Sequence, residues 1–185
     1  VESKPSTATV GDAGNAVVKV TYSDGSSDTV NVPVKVRDVT GPTITANGAT
    51  VTKNEPITAI PVTVADNQGG RGLRKDNPVE VTGLPDGLTY ANGEITGTPT
   101  APKGDYTVTI TAHDKDGNST TETITIKVQE QTDKYNPTGE ELTVDQNHVL
   151  TDAEITAKVK DFGPGKLTVE SKPSTATVGD AGNAV

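Results

Sequence analysis

Cysteine, methionine and tryptophan are missing from these 185 residues, and the aromatics are limited to 4 Tyr and 1 Phe. Without cysteine there is no disulfide, no thiolate nucleophile and no zinc–thiolate centre. So few aromatics leave almost no flat surfaces on which sugars or bases could stack. No apolar run approaches the ~20 residues that a helix needs to cross a bilayer. The first residues lack the basic start and apolar stretch of a signal peptide. Positive charge is also in deficit: 16 basic residues stand against 25 acidic ones, for a net charge of −9. That balance repels nucleic acid and anionic membranes.

What is present is Thr, Val, Gly and Pro. β-branched residues suit a pleated sheet, and 19 Gly and 12 Pro punctuate short strands. The expected fold class is all-β: two Ig-like β-sandwich modules in tandem. One of them is split across the chain ends and carries one short helix.

The split follows from a repeat. Residues 169–185 reproduce residues 1–17, VESKPSTATVGDAGNAV, without a mismatch, an offset of 168. Divergent evolution blurs such identity, so the chain reads as a segment of a tandem array with that period. Polar breaks at Arg37–Pro42 and Gln129–Asp133 then give three pieces. Residues 1–38 are the back part of one module, 39–129 a complete module, and 130–185 the front part of the next copy of the first module.

In the first piece Val18, Val20 and Tyr22 alternate, Asp24-Gly25 turns the chain, and Val30, Val32, Val34 and Val36 alternate again. This is a hairpin, and Pro33 assigns its second arm to a sheet edge or a bulge. In the middle piece Ile60/Val62/Val64, Val79/Val81, Tyr106/Val108/Ile110/Ala112 and Ile124/Ile126/Val128 give at least four strands of a sandwich. In the last piece Thr151-Asp152-Ala153-Glu154 is a capping box. With Ile155, Val159 and Phe162 at helical spacing, it predicts a helix over about 152–162.

Two family resemblances rest on these motifs. The hairpin Val20–Val30 with Val32-Pro33-Val34-Lys35-Val36, and the opening Asp133-Lys134-Tyr135-Asn136-Pro137, resemble the Rib/alpha-like repeat of Gram-positive wall-anchored surface proteins. Residues Val81–Leu88, Glu94–Thr100, Ala112-His113-Asp114 and Gly117-Asn118 resemble the cadherin-like Ig repeat of bacterial adhesins. Together they imply a non-catalytic adhesin repeat on the bacterial cell surface. It would be anchored to peptidoglycan through another part of its parent and used in adhesion or biofilm. The favoured role is an extended stalk that projects an adhesive head. The alternative is that the repeats themselves bind one another or a host ligand. Neighbouring copies of the repeat are the expected partners, head to tail and with strand complementation. Nucleic acid and membrane insertion are not expected.

Calcium is the one cofactor the residues suggest. It takes six to eight oxygen ligands, and Asp38, Asp66, Asn67, Asp114 and Asn118 fall in loops that an Ig-like sandwich can gather at one pole. The resemblance to cadherin-like repeats implies the same positions. The spacing is not that of an EF-hand, and turn chemistry alone also explains Asp, Asn and Gly at such places. From the sequence, both readings are open. His113 and His148 have no local catalytic partners and read as turn residues. Arg71, Arg74 and Lys75 read as a solvated hairpin tip.

Overall fold

The computed structural model describes residues 1–176 together with Gly179, Gly182 and Ala184. It divides into two compact units, Val1–Val128 and Gln129–Val185.

The first unit opens with the expected hairpin, β1 (Gly11–Thr21) and β2 (Ser27–Val36). Its turn is closed by Tyr22 N–H donating to the Ser26 carbonyl at 2.9 Å, and Gly25 takes φ +87° there. Few residues other than glycine accept such a φ without strain. Pro33 lies opposite Asn15, beside a register shift between Asp12 and Gly14. The missing N–H of Pro33 thus falls in a two-stranded sheet next to a bulge, where it is tolerated.

The remaining strands of this unit are β3 (Thr43–Ala46), β4 (Ala49–Thr52), β5 (Ile60–Ala65), β6 (Val79–Thr82), β7 (Leu88–Ala91), β8 (Glu94–Gly97), β9 (Gly104–His113) and β10 (Ser119–Gln129). They form two four-stranded sheets, ordered β4-β10-β9-β6 and β3-β5-β8-β7. Alternate residues of each sheet point inward, so the period-two pattern becomes a core. Ile95, Val108, Ile110, Ile126 and Val128 are fully buried there, with Val51, Ile60, Val62, Leu88, Ala101 and Ile124 around them. Burying each aliphatic side chain contributes about 1.5–3 kcal/mol, and no disulfide assists. The polar ends of the strands are left to carry the loops described below.

The second unit is sparser. It contains α1 (Gln131–Lys134), β11 (Thr138–Gly139), α2 (Asp152–Thr156) and β12 (Val159–Lys160). Two expectations need correction here. Among the described residues there are two short helices rather than one: Asp133 Oδ2 accepts the Glu130 N–H at 2.9 Å, and this closes a single turn inside what reads as a polar break. The second helix begins as expected but stops at Thr156, not near 162. Val159 belongs instead to β12, paired with Gly139. Helical spacing of Ile155, Val159 and Phe162 is too short a pattern to outweigh that pairing, and Asp161 at φ +56° and Gly163 at φ +58° rule out a helical continuation.

The capping box of α2 is complete. Glu154 N–H donates to Thr151 Oγ1 at 3.3 Å, and Thr151 N–H donates to Glu154 Oε2 at 2.9 Å. His148 Nε2 lies 3.0 Å from Glu154 Oε1, so this histidine belongs to the cap. Hydrogen bonds from the Thr151 hydroxyl and backbone, and then His148, pull the Glu154 carboxyl down from 4.5 to about 2. A depressed carboxyl stabilises the fold above its unfolded value. The contribution is therefore expected to be intact at neutral pH and to disappear as pH falls from about 4.5 through about 2. Glu154→Gln should remove that acid dependence, as read by circular dichroism melts of both chains between pH 7 and 2.

The duplicated segment takes two forms. In the first copy, residues from Gly11 onward run as β1 against β2. In the second copy Gly179, Gly182 and Ala184 belong to no strand, although Gly179 and Gly182 keep φ values of 120° and 92°, matching 122° and 91° at Gly11 and Gly14. The remaining residues beyond Ala176 lie outside the described residues.

Candidate functional site

Three loops meet at one end of the sandwich. Asp38 follows β2 and opens the connection to β3. Asp66 and Asn67 follow β5. Asp114 starts the loop that joins β9 to β10, whose ends pair at His113 and Ser119. Carboxylate oxygens of Asp38, Asp66 and Asp114 all lie within 4.8 Å of one another. Asp38 and Asp114 retain only 7% and 2% of their surface. At about 5 Å and an effective dielectric of 20, each pair of full negative charges repels by roughly 3 kcal/mol. Holding three together requires either donors or a cation.

Backbone donors supply part of the answer. Asp38 Oδ1 accepts the Thr40 N–H at 3.0 Å, and Asp66 Oδ2 accepts the Gly72 N–H at 2.6 Å. Asp114 Oδ1 accepts the N–H groups of Asp116 and Asn118 at 2.9 and 2.8 Å, and its Oδ2 accepts the Asn118 side-chain amide at 2.7 Å. Burial pushes the Asp114 carboxyl up. The bonds from the Asn118 side chain and backbone, with those from Asp116 and Gly117, outweigh burial and hold it below its ordinary value. Asp114 is therefore kept as an anion in a buried position.

Asn67 stands in the same cluster. The end of its side-chain amide that faces the cluster stands 3.2 Å from the Thr40 carbonyl, 3.0 Å from Asp66 Oδ1 and 3.2 Å from Asp38 Oδ2. With nitrogen there, its two N–H groups are shared among the three acceptors and satisfy them without an ion. With oxygen there, four oxygens face one another, and only a cation reconciles them. Adjacent oxygens around calcium stand about this far apart when each is 2.3–2.6 Å from the ion.

The loops are also pinned to each other. Lys115 N–H donates to the Gly72 carbonyl at 3.0 Å and its Nζ to the Arg71 carbonyl at 2.8 Å. Arg71 pairs with Asp116 at 3.3 Å. Arg74 bonds the carbonyls of Asp76 and Asn77 at 2.7 and 2.6 Å. The cationic stretch thus clasps the site loops and holds their own shape.

Of the five residues expected to meet, the fold brings Asp38, Asp66, Asn67 and Asp114 together. Asn118 donates its backbone N–H and its side-chain amide to Asp114 and so orients it. Two contributors are invisible to side-chain reading. The Thr40 carbonyl faces the cluster, and Gly70 leaves the space open: a Cβ at Gly70 would run into Oδ2 of both Asp66 and Asp38. The donor set of three carboxylates, one amide and one carbonyl fits a hard divalent ion such as calcium, with water completing the shell. Gly70→Ala should spread the carboxylates and weaken any binding of calcium here by about ten- to a hundredfold, as read by titration calorimetry.

Comparison with known proteins adds to this picture. Residues 39–129 match the family described as "Putative Ig domain", and residues 1–38 match the Rib domain family. The C protein alpha-antigen of Streptococcus agalactiae is 34% identical over 97% of this chain, which spans 17% of that protein. The serine-rich adhesin for platelets of Staphylococcus aureus is 36% identical over 62% of this chain, which spans 5% of it. The chain thus covers a small part of the curated relatives it matches. Among solved structures, a point mutant of the SrpA adhesin from Streptococcus sanguinis superposes with a TM-score of 0.50 at 27% identity, covering 65% of this chain and 74% of that one.

Proposed function

We propose, starting from the chain's place among the Rib and Ig-like regions of Gram-positive surface adhesins, that it is a non-catalytic stalk unit. The 168-residue repeat carries this reading. An exact repeat lets an array change length by recombination without changing its chemistry, which suits a spacer that sets how far an adhesive head stands from the cell. The relatives being surface adhesins supports an extracellular location, with attachment to the wall made elsewhere in the parent.

Within this role Asp38, Asp66, Asn67 and Asp114 would hold calcium, with Asn118 positioning Asp114. Bound there, the ion supplies positive charge that relieves the repulsion among the three carboxylates. Asp38 lies at the junction of residues 1–38 with 39–129, and Asp66 and Asp114 lie on the sandwich. An ion shared by them ties the junction to the domain. A spacer gains from this because bending the joint would then require breaking coordination.

The stalk reading makes a test available on cells. Shortening the array should lower adhesion of cells that carry the parent protein, and added soluble chain should not compete for the host surface. Competition by the soluble chain would assign host binding to the repeat itself and overturn the reading.

A further inference from the structure

We propose that Asn47-Gly48 is a site of spontaneous covalent modification, where the asparagine passes through a cyclic imide to aspartate and isoaspartate. The reaction needs no enzyme. It needs water, an accessible asparagine and a following residue small enough to let the ring close.

Asn-Gly occurs twice in the chain, at 47–48 and at 92–93. The two glycines are there for different reasons. Gly93 takes φ +83° after Asn92 at +52°, the paired positive angles of a two-residue hairpin turn between β7 and β8. Gly48 has no such φ. A Cβ there would run into the Thr125 carbonyl of β10, so glycine is demanded by space. Packing of the sandwich thus fixes an Asn-Gly pair that no tight turn restrains.

The surroundings separate the two pairs. Ring closure brings the next backbone nitrogen up to the asparagine Cγ. In the left-handed conformation of Asn92 that nitrogen is turned away from the side chain. Turning it back would break the pairing of Ala91 with Glu94 and the 2.7 Å bond from Val62 N–H to the Gly93 carbonyl. Asn47 and Gly48 are exposed and lie in no strand or turn. Other asparagines of the sandwich are held differently. Asn77 precedes Pro78, which has no N–H, and Asn118 commits its side-chain amide to Asp114 at 2.7 Å.

The chemistry balances with water alone. The Gly48 nitrogen loses its proton and bonds to Asn47 Cγ, and the side-chain nitrogen leaves as ammonia. Water then opens the imide. Attack at Cγ gives aspartate and restores the original main chain. Attack at the main-chain carbonyl of residue 47 gives isoaspartate, with the chain rerouted through the side chain and one methylene longer. Both products put a carboxylate where a neutral amide stood.

The position gives the change a consequence. β3 belongs to one sheet and β4 to the other, so residues 47–48 form the corner where the chain crosses between them. Ala46 pairs with Val62, and Ala46 and Ala49 both pack against the core. A longer main chain between them displaces one or both and spoils the approach of Gly48 to Thr125. The isoaspartate form is therefore less stable than the original chain.

The test is to age the full chain and its Asn47→Gln variant at mildly alkaline pH in isotopically heavy water, with peptide mapping by mass spectrometry and thermal melts over time. Glutamine would need a larger ring and closes it far more slowly. The expected result is conversion of the Asn47 peptide to two products carrying a solvent oxygen, with isoaspartate in excess and the Asn92 peptide several-fold slower. The melting midpoint should fall as isoaspartate accumulates, and Asn47→Gln should hold its own. Freshly prepared Asn47→Asp, which has the charge without the extra methylene, should melt close to the unaged chain. The proposal is overturned if Asn47 stays intact in the folded chain while a denatured sample converts, if Asn92 converts as fast, or if the aged chain and Asn47→Gln keep the same midpoint. These results bear neither on calcium nor on the stalk reading.

Discussion

If calcium binds as proposed, Asp114→Asn is expected to abolish the stabilisation it gives, while the metal-free fold loses about 1–3 kcal/mol, because the new amide nitrogen faces the Asn118 amide that now donates to Oδ2. The reason is local. Asparagine at 114 keeps an oxygen that can accept the N–H groups of Asp116 and Asn118, now 2.9 and 2.8 Å from Asp114 Oδ1. It removes one of the three carboxylate charges of the cluster. For the unmodified chain the proposed site would add about 2.7 kcal/mol at a hundredfold excess of calcium over the dissociation constant. In the asparagine variant that increment should vanish. Asp114→Ala should do more, because it leaves two N–H donors and the Asn118 amide without their charged acceptor. Loss of such bonds costs about 2–4 kcal/mol even in chelator. Thermal melts of the three chains, with calcium and with chelator, separate the two effects. Equal calcium responses in the asparagine variant and the unmodified chain would remove Asp114 from the site.

Ile126→Ala is expected to cost more than any surface change, about 3 kcal/mol or somewhat above. Ile126 is fully buried and lies on β10 opposite Tyr106 of β9, in the centre of its sheet. Its removal leaves a cavity in the core cluster that also holds Val108, Ile110 and Val128, which are themselves fully buried in paired strands and have little freedom to close it. Denaturant unfolding followed by circular dichroism gives the value. A loss below about 1 kcal/mol would mean that the core is loosely packed. The two sheets could not then act as a rigid spacer.

The sequence carried the sandwich because its strands are long enough to alternate. Tyr106 to Ala112 and Ile124 to Val128 show period two without ambiguity, and they became the two central strands of one sheet. The hairpin Leu88–Gly97 is absent from the expected strands, although Asn92-Gly93, at φ +52° and +83°, is a strong two-residue turn. Four residues on each side are too few to display alternation. The helix at 152 was legible at its start, where the cap is a local chemical fact, and illegible at its end, where pairing with Thr138–Gly139 decides. The duplicated segment marks the limit most clearly: its first copy is a strand and the described residues of its second are not, with identical side chains in both.

The site divides in the same way. Asp38, Asp66 and Asp114 were legible as acidic residues in loops of one pole. The Thr40 carbonyl and the space kept by Gly70 were not, because they belong to the backbone. Asn118 has the composition of a ligand, and only its bonds to Asp114 reveal a supporting part.

Whether the three loops form a cation-bound joint is the point on which the account turns. Amide hydrogen exchange of the 185-residue chain, in calcium and in chelator, tests it most directly. The account expects calcium to slow exchange at residues 38–40, 66–72 and 114–118 together, with the centre of the sandwich unchanged. Equal exchange in both conditions across these loops would contradict it.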